Sequence, residues 1–547
     1  MLHVNERYVD ETRDEKGNVV DYQYKYPENF NFAYDVVDAI AEAEPGRRAM
    51  IWCNPCGEEH VFTYGDLKRY SDKTANMLRA KGIGKGDMVM VVLKRHYQFW
   101  FTILALHKLG AVIIPATFLL TKHDIVYRVN SASVKAVICT GQGDVAAHFD
   151  ESAPECPTLQ TKLMVNGERD GWEDFMTEME KAPESFARVP TLASDPMILY
   201  FSSGTTGNPK MALHPYTYAL GHLATAKYWH NVDPEGIHFT IADTGWGKAV
   251  WGKLYGQMFM ESCVFVYDFE KFVASDILDK VSQYGVTSLC CPPTMFRFFL
   301  QEDVKSWDLS RLTYCTIAGE ALSPDVFNKW YEATGIKLME GFGQTETTLL
   351  IANLVGMEPK PGSMGKPIPQ YDVMIVDEDG QPVQPGVTGE IVVKLDHGKP
   401  LGLFDCYYRD EKRTKEAMHD GLYHTGDTAW MDEDGYYWYV GRTDDVIKSS
   451  GYRIGPFEIE SVLAAAFGEG RSEESGEQGP ALAVESGEDG AIVLFTTLDI
   501  TREEANAALR AARLSGLSAV ARVQKLASIP VLGTGKTDYK ALKASCV

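Results

Sequence analysis

A large α/β protein with a small α/β domain at its C-terminus is the fold class this sequence predicts, and three textures along the chain predict it. Short β-branched runs alternate with amphipathic stretches from about residue 86 to 140, and again from about 237 to 335. Residues 361–440 alternate between turn signals, and residues 461–547 become Ala-rich, with three aromatics where the chain's 11% would give roughly ten. Strand–helix alternation implies parallel sheets covered by helices on both faces. The first texture therefore reads as two αβ-sandwich units and the second as a small antiparallel, β-barrel-like unit. The expected division is an N-terminal domain at 1–441 and a C-terminal domain at 442–547.

The elements follow in order. Met88–Leu93 is an apolar strand, Tyr97–Leu109 a helix, and Ala111–Ile114 and Ala136–Cys139 are strands. Met197–Phe201 is a buried strand leading into a Gly/Ser/Thr-rich loop. The second unit has strands at Phe239–Ile241, Val264–Val266, Ser288–Cys290 and Thr313–Ile317. Asp377–Gly380 and Asp432–Gly435 are turns beside the strands Ile391–Val393 and Tyr437–Val440. Gly468–Gly490 reads as a surface loop around a short strand. Thr501 and Glu504 form a capping box that opens a helix to about Leu514.

Composition excludes several classes. A net charge of −23 argues against a nucleic-acid or anionic-membrane partner. Ten cysteines in 547 residues are too sparse for a disulfide scaffold and favour a reducing compartment. Cys53-Asn54-Pro55-Cys56 is a lone CxxC, which reads as a hairpin turn. The acidic N-terminus has no apolar targeting core, and His107-Lys108-Leu109-Gly110 interrupts the apolar stretch Phe99–Leu120. The expected address is the cytoplasm, with no integral membrane segment.

Chemistry concentrates in a few polar segments. Ser202-Ser203-Gly204-Thr205-Thr206-Gly207-Asn208-Pro209-Lys210 packs glycines, hydroxyls and a lysine into nine residues, as a polyphosphate cradle requires. Its spacing differs from that of a Walker A loop. Gly533-Thr534-Gly535-Lys536-Thr537 imitates half of that motif, but Pro530 stands where its first glycine belongs and only ten residues follow. Gly341 to Thr348 sets flexible backbone beside Thr345 and Glu346. Tyr423-His424-Thr425-Gly426-Asp427 ends in an acid after a glycine turn. Arg442 to Lys448 leads to Ser449-Ser450-Gly451-Tyr452-Arg453-Ile454-Gly455. Each segment taken alone is also what a solvated turn looks like.

Together, in this order, these segments resemble the adenylate-forming superfamily, and within it the medium-chain acyl-CoA synthetases, over about residues 30–465 and 525–543. The resemblance implies an enzyme that activates a carboxylic acid with ATP to acyl-AMP and pyrophosphate, then passes the acyl group to coenzyme A. It implies nucleotide contacts from Ser202, Ser203, Gly204, Thr205, Thr206, Gly207 and Lys210. Gly319, Glu320 and Ala321 would flank adenine, as would Glu340, Gly341, Phe342, Gly343, Gln344 and Thr345. Asp427 would accept from the ribose hydroxyls, with Arg442 nearby. Glu346 would ligate Mg²⁺, and Lys536 would reach the attacking carboxylate. The small domain would be mobile about Asp444, with Ser450, Gly451 and Tyr452 along the coenzyme A channel and Arg453 near the phosphate. Trp246 would wall the acyl pocket. Gly343 stands where acetate-specific relatives carry tryptophan, so it is expected to leave room for a longer, branched or aromatic acyl group.

The turn around Lys536 looks more like acyl-carrier-protein synthetases, which makes acyl carrier protein a second expected acceptor. A non-catalytic nucleotide-binding relative is the reading from a different class. Retention of Lys536, Glu346 and Asp427 argues against it.

Overall fold

The computed structural model describes residues 1–17, 19–202, 208–320, 322–443, 447–449, 452–467, 481–486, 491–512, 519–531 and 537–545. A large N-terminal domain and a small C-terminal domain make a mixed α/β protein. The first large sheet has eight strands, with Met88–Val92, Val112–Pro115, Ala136–Thr140, Thr161–Val165 and β1 (Pro196–Ser202) at its parallel centre. Next to β1, β2 (Lys210–Pro215) runs antiparallel and opposes Ser202 with Lys210. Strands buried on both faces read as continuous apolar runs, and Met88–Val92 is buried at every position.

Alternation still sorts that run. Val89 and Val91 join a cluster shared with the second sheet, while Met88, Met90 and Val92 pack into a separate outer cluster. Cys263–Tyr267 in the second sheet divides the same way, with Val264 and Val266 in the shared core and Phe265 and Tyr267 outside. Period-two geometry thus gives each sheet two apolar faces to cover.

The second sheet has nine strands. Its centre is the expected series Ile237–Thr240, Cys263–Tyr267, Ser288–Cys290 and Tyr314–Ile317, followed by β3 (Leu338–Gly343). One edge comes from far upstream. Arg48–Cys53 pairs in parallel with Cys263–Tyr267 and forms a hairpin with Glu59–Thr63. Cys53 and Cys56 lie in that hairpin as free thiols, and Asn54 Oδ1 accepts from the N–H groups of Cys56 and Glu58.

The third sheet is antiparallel and contains Val373–Val376, β4 (Gly389–Lys394), β5 (Leu422–Met431) and β6 (Tyr437–Arg442). Beyond it, Leu482–Ser486, Ile492–Thr496 and Arg522–Lys525 form a three-stranded sheet. Ile447, Ile459, Leu463, Leu494 and Leu509 belong to a core cluster of their own. Thr501 caps the helix Arg502–Ala511 as expected, with Glu504 completing the box.

Candidate active site

One short loop joins all three large sheets. It follows β3, runs from Gln344 to Thr347, and is tied down at each residue that carries chemistry. Glu346 is buried, and its Oε1 accepts from Ser202 Oγ at 3.2 Å and from the Tyr407 hydroxyl at 2.9 Å. The Thr345 carbonyl lies 2.8 Å from His214 Nε2 on β2. Gln344 Nε2 donates to the Thr425 carbonyl at 2.8 Å and to Asp427, while its Oε1 accepts from Tyr423 at 2.6 Å. Lys210 completes the first-sheet side, with Nζ 5.1 Å from the centre of the Tyr407 ring. Burial, then the Glu346 carboxylate, hold the Tyr407 phenol far above its usual range, so it remains a donor.

Asp427 and Arg442 face each other across β5 and β6, with Arg442 Nη1 3.1 Å from Asp427 Oδ2 and 3.0 Å from the Thr425 carbonyl. Tyr439 donates to Asp427 Oδ1 at 3.1 Å. Gly319, Glu320 and Glu340 meet at the ends of neighbouring strands, because Ile317 pairs with Glu340. Gly319 takes φ +100°, and a Cβ there would meet nothing within 4 Å, so its backbone is open to a ligand. Glu320 accepts from Thr294 Oγ1 at 2.5 Å. Gly341 is close-packed, since a Cβ would come 2.6 Å from the Trp229 ring. Phe342 is half-buried, 6.1 Å from Tyr439 between ring centres.

The room expected beside Gly343 is not there. A Cβ at this position would lie 2.4 Å from the Thr348 carbonyl oxygen and 2.5 Å from Cη2 of Trp251. Glycine is required by close approach, and the indole of Trp251 fills the volume behind it. Trp251 donates from Nε1 to the Tyr218 hydroxyl at 3.2 Å. Trp246 is half-buried and precedes the helix Gly247–Lys253, where Gly247 looks toward the Tyr200 ring. Tyr452 and Arg453 lie on Tyr452–Ile454, paired with Ile447–Ser449. Ser203 to Gly207, Ala321, Asp444, Ser450, Gly451 and Lys536 lie outside the described residues.

Tyr407, His214, Tyr423, Tyr439 and Trp251 escaped the sequence reading as site residues. His214 stands four residues after Lys210, and a histidine one residue from the end of an apolar strand was a visible signal. Tyr407 sits in a two-residue strand, Cys406–Tyr407, which no periodicity reveals.

Burial drives His107, His214 and His238 down to about 3, and His222 and His230 well below their ordinary value. The native state stays neutral there while the unfolded chain takes up protons. The stability they contribute is therefore complete above pH 6.5 and lost as pH falls toward 3. Each of the first three removes about 1.4 kcal/mol per pH unit. Glu340, pushed up to about 8 by burial, acts oppositely and adds stability as pH falls from 8 to 4.5. Five histidines outnumber the buried carboxyls of Glu340, Asp38 and Asp243, which burial shifts upward, and leave a net loss. The denaturant midpoint should fall clearly between pH 6.5 and 5, and an unchanged midpoint would mean these histidines titrate in the folded state.

Three sheets thus meet at one loop that carries a buried carboxylate. The chain belongs to the AMP-binding enzyme family, which it matches over residues 37–408. It is similar to the acyl-coenzyme A synthetase ACSM4, mitochondrial, of Rattus norvegicus, 40% identical over 80% of this chain and 76% of that protein. It is likewise similar to ACSM5, mitochondrial, of Homo sapiens, 41% identical over 80% of this chain and 76% of that protein. The crystal structure of the anthranilate CoA ligase AuaEII in complex with anthranoyl-AMP shares the fold, with a TM-score of 0.83 at 23% identity over 95% of this chain and 98% of that one. These relatives are named as coenzyme A enzymes and lend no support to the carrier-protein acceptor expected from the sequence around Lys536. No helix among the described residues is long and apolar enough to cross a membrane.

Proposed function

We propose that this protein is an ATP-dependent acid–thiol ligase that converts a medium-chain, branched or aromatic carboxylic acid to acyl-AMP and then to its coenzyme A thioester. The observation that carries the reading is the Gln344–Thr347 loop, which links Ser202 and Lys210 on one side to Asp427 and Arg442 on the other. In the first step a carboxylate oxygen attacks the α-phosphorus of ATP, and pyrophosphate leaves. In the second, the thiolate sulfur attacks the acyl carbon and AMP leaves. Both steps concentrate negative charge, so donors and cations aimed at it lower the barrier.

Within this reading, Lys210 and residues 202–207 hold phosphates, Gly319 and Glu320 flank adenine, and Asp427 receives the ribose hydroxyls. Glu346 suits Mg²⁺: it is a buried carboxylate, and among the described residues both of its hydrogen bonds fall on Oε1. When bound, such a cation neutralises phosphate charge. We place the domain boundary between 441 and 442, with Asp444 as the hinge. Support comes from the separate core around Ile459, Leu463 and Leu494. A role in fatty-acid metabolism and a cytoplasmic address are part of the proposal, the latter supported by nine free cysteines among the described residues. The two relatives named above are mitochondrial, and cell fractionation separates the addresses.

The decisive experiment measures acyl-AMP and thioester formation across C2–C16 and aromatic acids, with coenzyme A and holo-carrier protein as rival acceptors. ATP binding without acyl-AMP from any acid would favour a non-catalytic nucleotide-binding protein. The same assay reads Gly343. Because a methyl group there strikes backbone, Gly343→Ala should lower kcat/KM for acetate and hexanoate by the same factor. Selective loss of hexanoate would restore this glycine as the gauge of chain length.

A further inference from the structure

The pairing of β4 with β5 breaks in one place. Glu390 stands opposite Thr428 and Val392 opposite His424, so a single residue of β4, Ile391, faces three of β5. The surplus residues, Thr425, Gly426 and Asp427, form a bulge that turns out of the ladder. Gly426 takes φ +67°, and a Cβ on it would lie 2.8 Å from Arg442 Nη2. Thr425 Oγ1 anchors one side of the bulge by donating to the Ile391 carbonyl at 2.7 Å.

A bulge removes backbone N–H groups from the ladder, and a part-buried one needs another acceptor. Here Glu390 supplies it. Gly426 N–H donates to Glu390 Oε1 at 2.9 Å, and His424 Nδ1 lies 3.0 Å from Oε2. The carboxylate thus grips the bulge at Gly426 and its flank at His424, and its side chain is only 21% exposed. Burial pushes this carboxyl up, and the hydrogen bonds from His424 and Gly426, with the charges of His424 and His419, more than reverse the effect. On the far side the same bulge presents the Asp427 carboxylate and the Thr425 carbonyl to Gln344 and Arg442.

We propose that Glu390 is a positioning residue for ATP, fixing the Thr425–Asp427 bulge from behind and thereby the direction in which Asp427 meets the nucleotide. The inference rests on the reading of this site as the ATP site. It makes no claim on the acid or the thiol.

Steady-state kinetics of Glu390→Ala, Glu390→Gln and Glu390→Asp test it. Loss of a charge-assisted hydrogen bond to the bulge should raise KM for ATP about tenfold in Glu390→Ala. Its kcat and its KM for the acid should stay within about twofold, while its KM for supplied acyl-AMP, which carries the same ribose, should rise along with that for ATP. Glu390→Gln keeps an acceptor for Gly426 N–H and should recover most of the loss. Glu390→Asp withdraws the carboxylate by one methylene and should fall between the two. Should Glu390→Ala fail to fold, the Gln and Asp variants still give the ordering. An unchanged KM for ATP, with only a lower melting temperature, would overturn the inference. Wild-type enzyme that makes no acyl-AMP from any acid would overturn the site reading instead.

Discussion

Glu346→Gln should release pyrophosphate about 10²–10³-fold more slowly than wild type, roughly the cost of removing one electrostatic group aimed at a transition state. The substitution keeps the size of the side chain and an oxygen that can accept from Ser202 and Tyr407, so the loop keeps its anchors. What disappears is the negative charge that a hard cation beside the ATP phosphates would need. Thermal stability should therefore hold while carboxylate-dependent pyrophosphate release collapses. Thioester formation from supplied acyl-AMP should be spared. A variant as fast as wild type in the first step would remove Glu346 from the chemistry and leave it as a clasp between sheets.

Lys536→Ala should show an equally deep loss in that half-reaction alone. The expectation rests on Gly533-Thr534-Gly535-Lys536, a cationic side chain in a Gly-rich segment of the sequence. A lysine opposite the attacking carboxylate and α-phosphate offsets charge only while pyrophosphate is leaving, so its removal should cost about 10²–10³ there. Acyl transfer from supplied acyl-AMP to coenzyme A should stay near the wild-type rate. Equal losses in both steps would point to general damage to the small domain, and the circular dichroism of the variant would then have to change as well.

How far the sequence could be read depended on whether a partner was near in the chain. Met88–Val92, Ala136–Thr140 and Ser288–Cys290 were visible because strands covered on both faces need apolar residues at nearly every position. The helix Gln98–Leu109 was visible through its length and the Gly110 that ends it in the left-handed region. Tyr407 and Trp251 were not. Each acts through a side chain brought from a distant segment, and neither two-residue strands nor a tryptophan in an apolar helix announces its contacts. Gly343 shows the opposite failure. Its presence was visible, but whether a glycine leaves space or accommodates neighbours is decided by those neighbours, and here they are the Thr348 carbonyl after a turn of unreadable geometry and Trp251, more than ninety residues upstream.

The hairpin at Arg48–Thr63 has a consequence for how the protein is made. Its parallel partner, Cys263–Tyr267, follows roughly two hundred residues later, so at ordinary elongation rates the hairpin leaves the ribosome about 10–40 s before that strand exists. Throughout that interval Met50, Ile51 and Trp52, all buried in the finished protein, wait with an unpaired β-edge. Nascent chains stalled between residues 70 and 260 should accordingly be the aggregation-prone species and the ones a holdase chaperone retains. Those extended past the strand at Tyr314–Ile317 should be released.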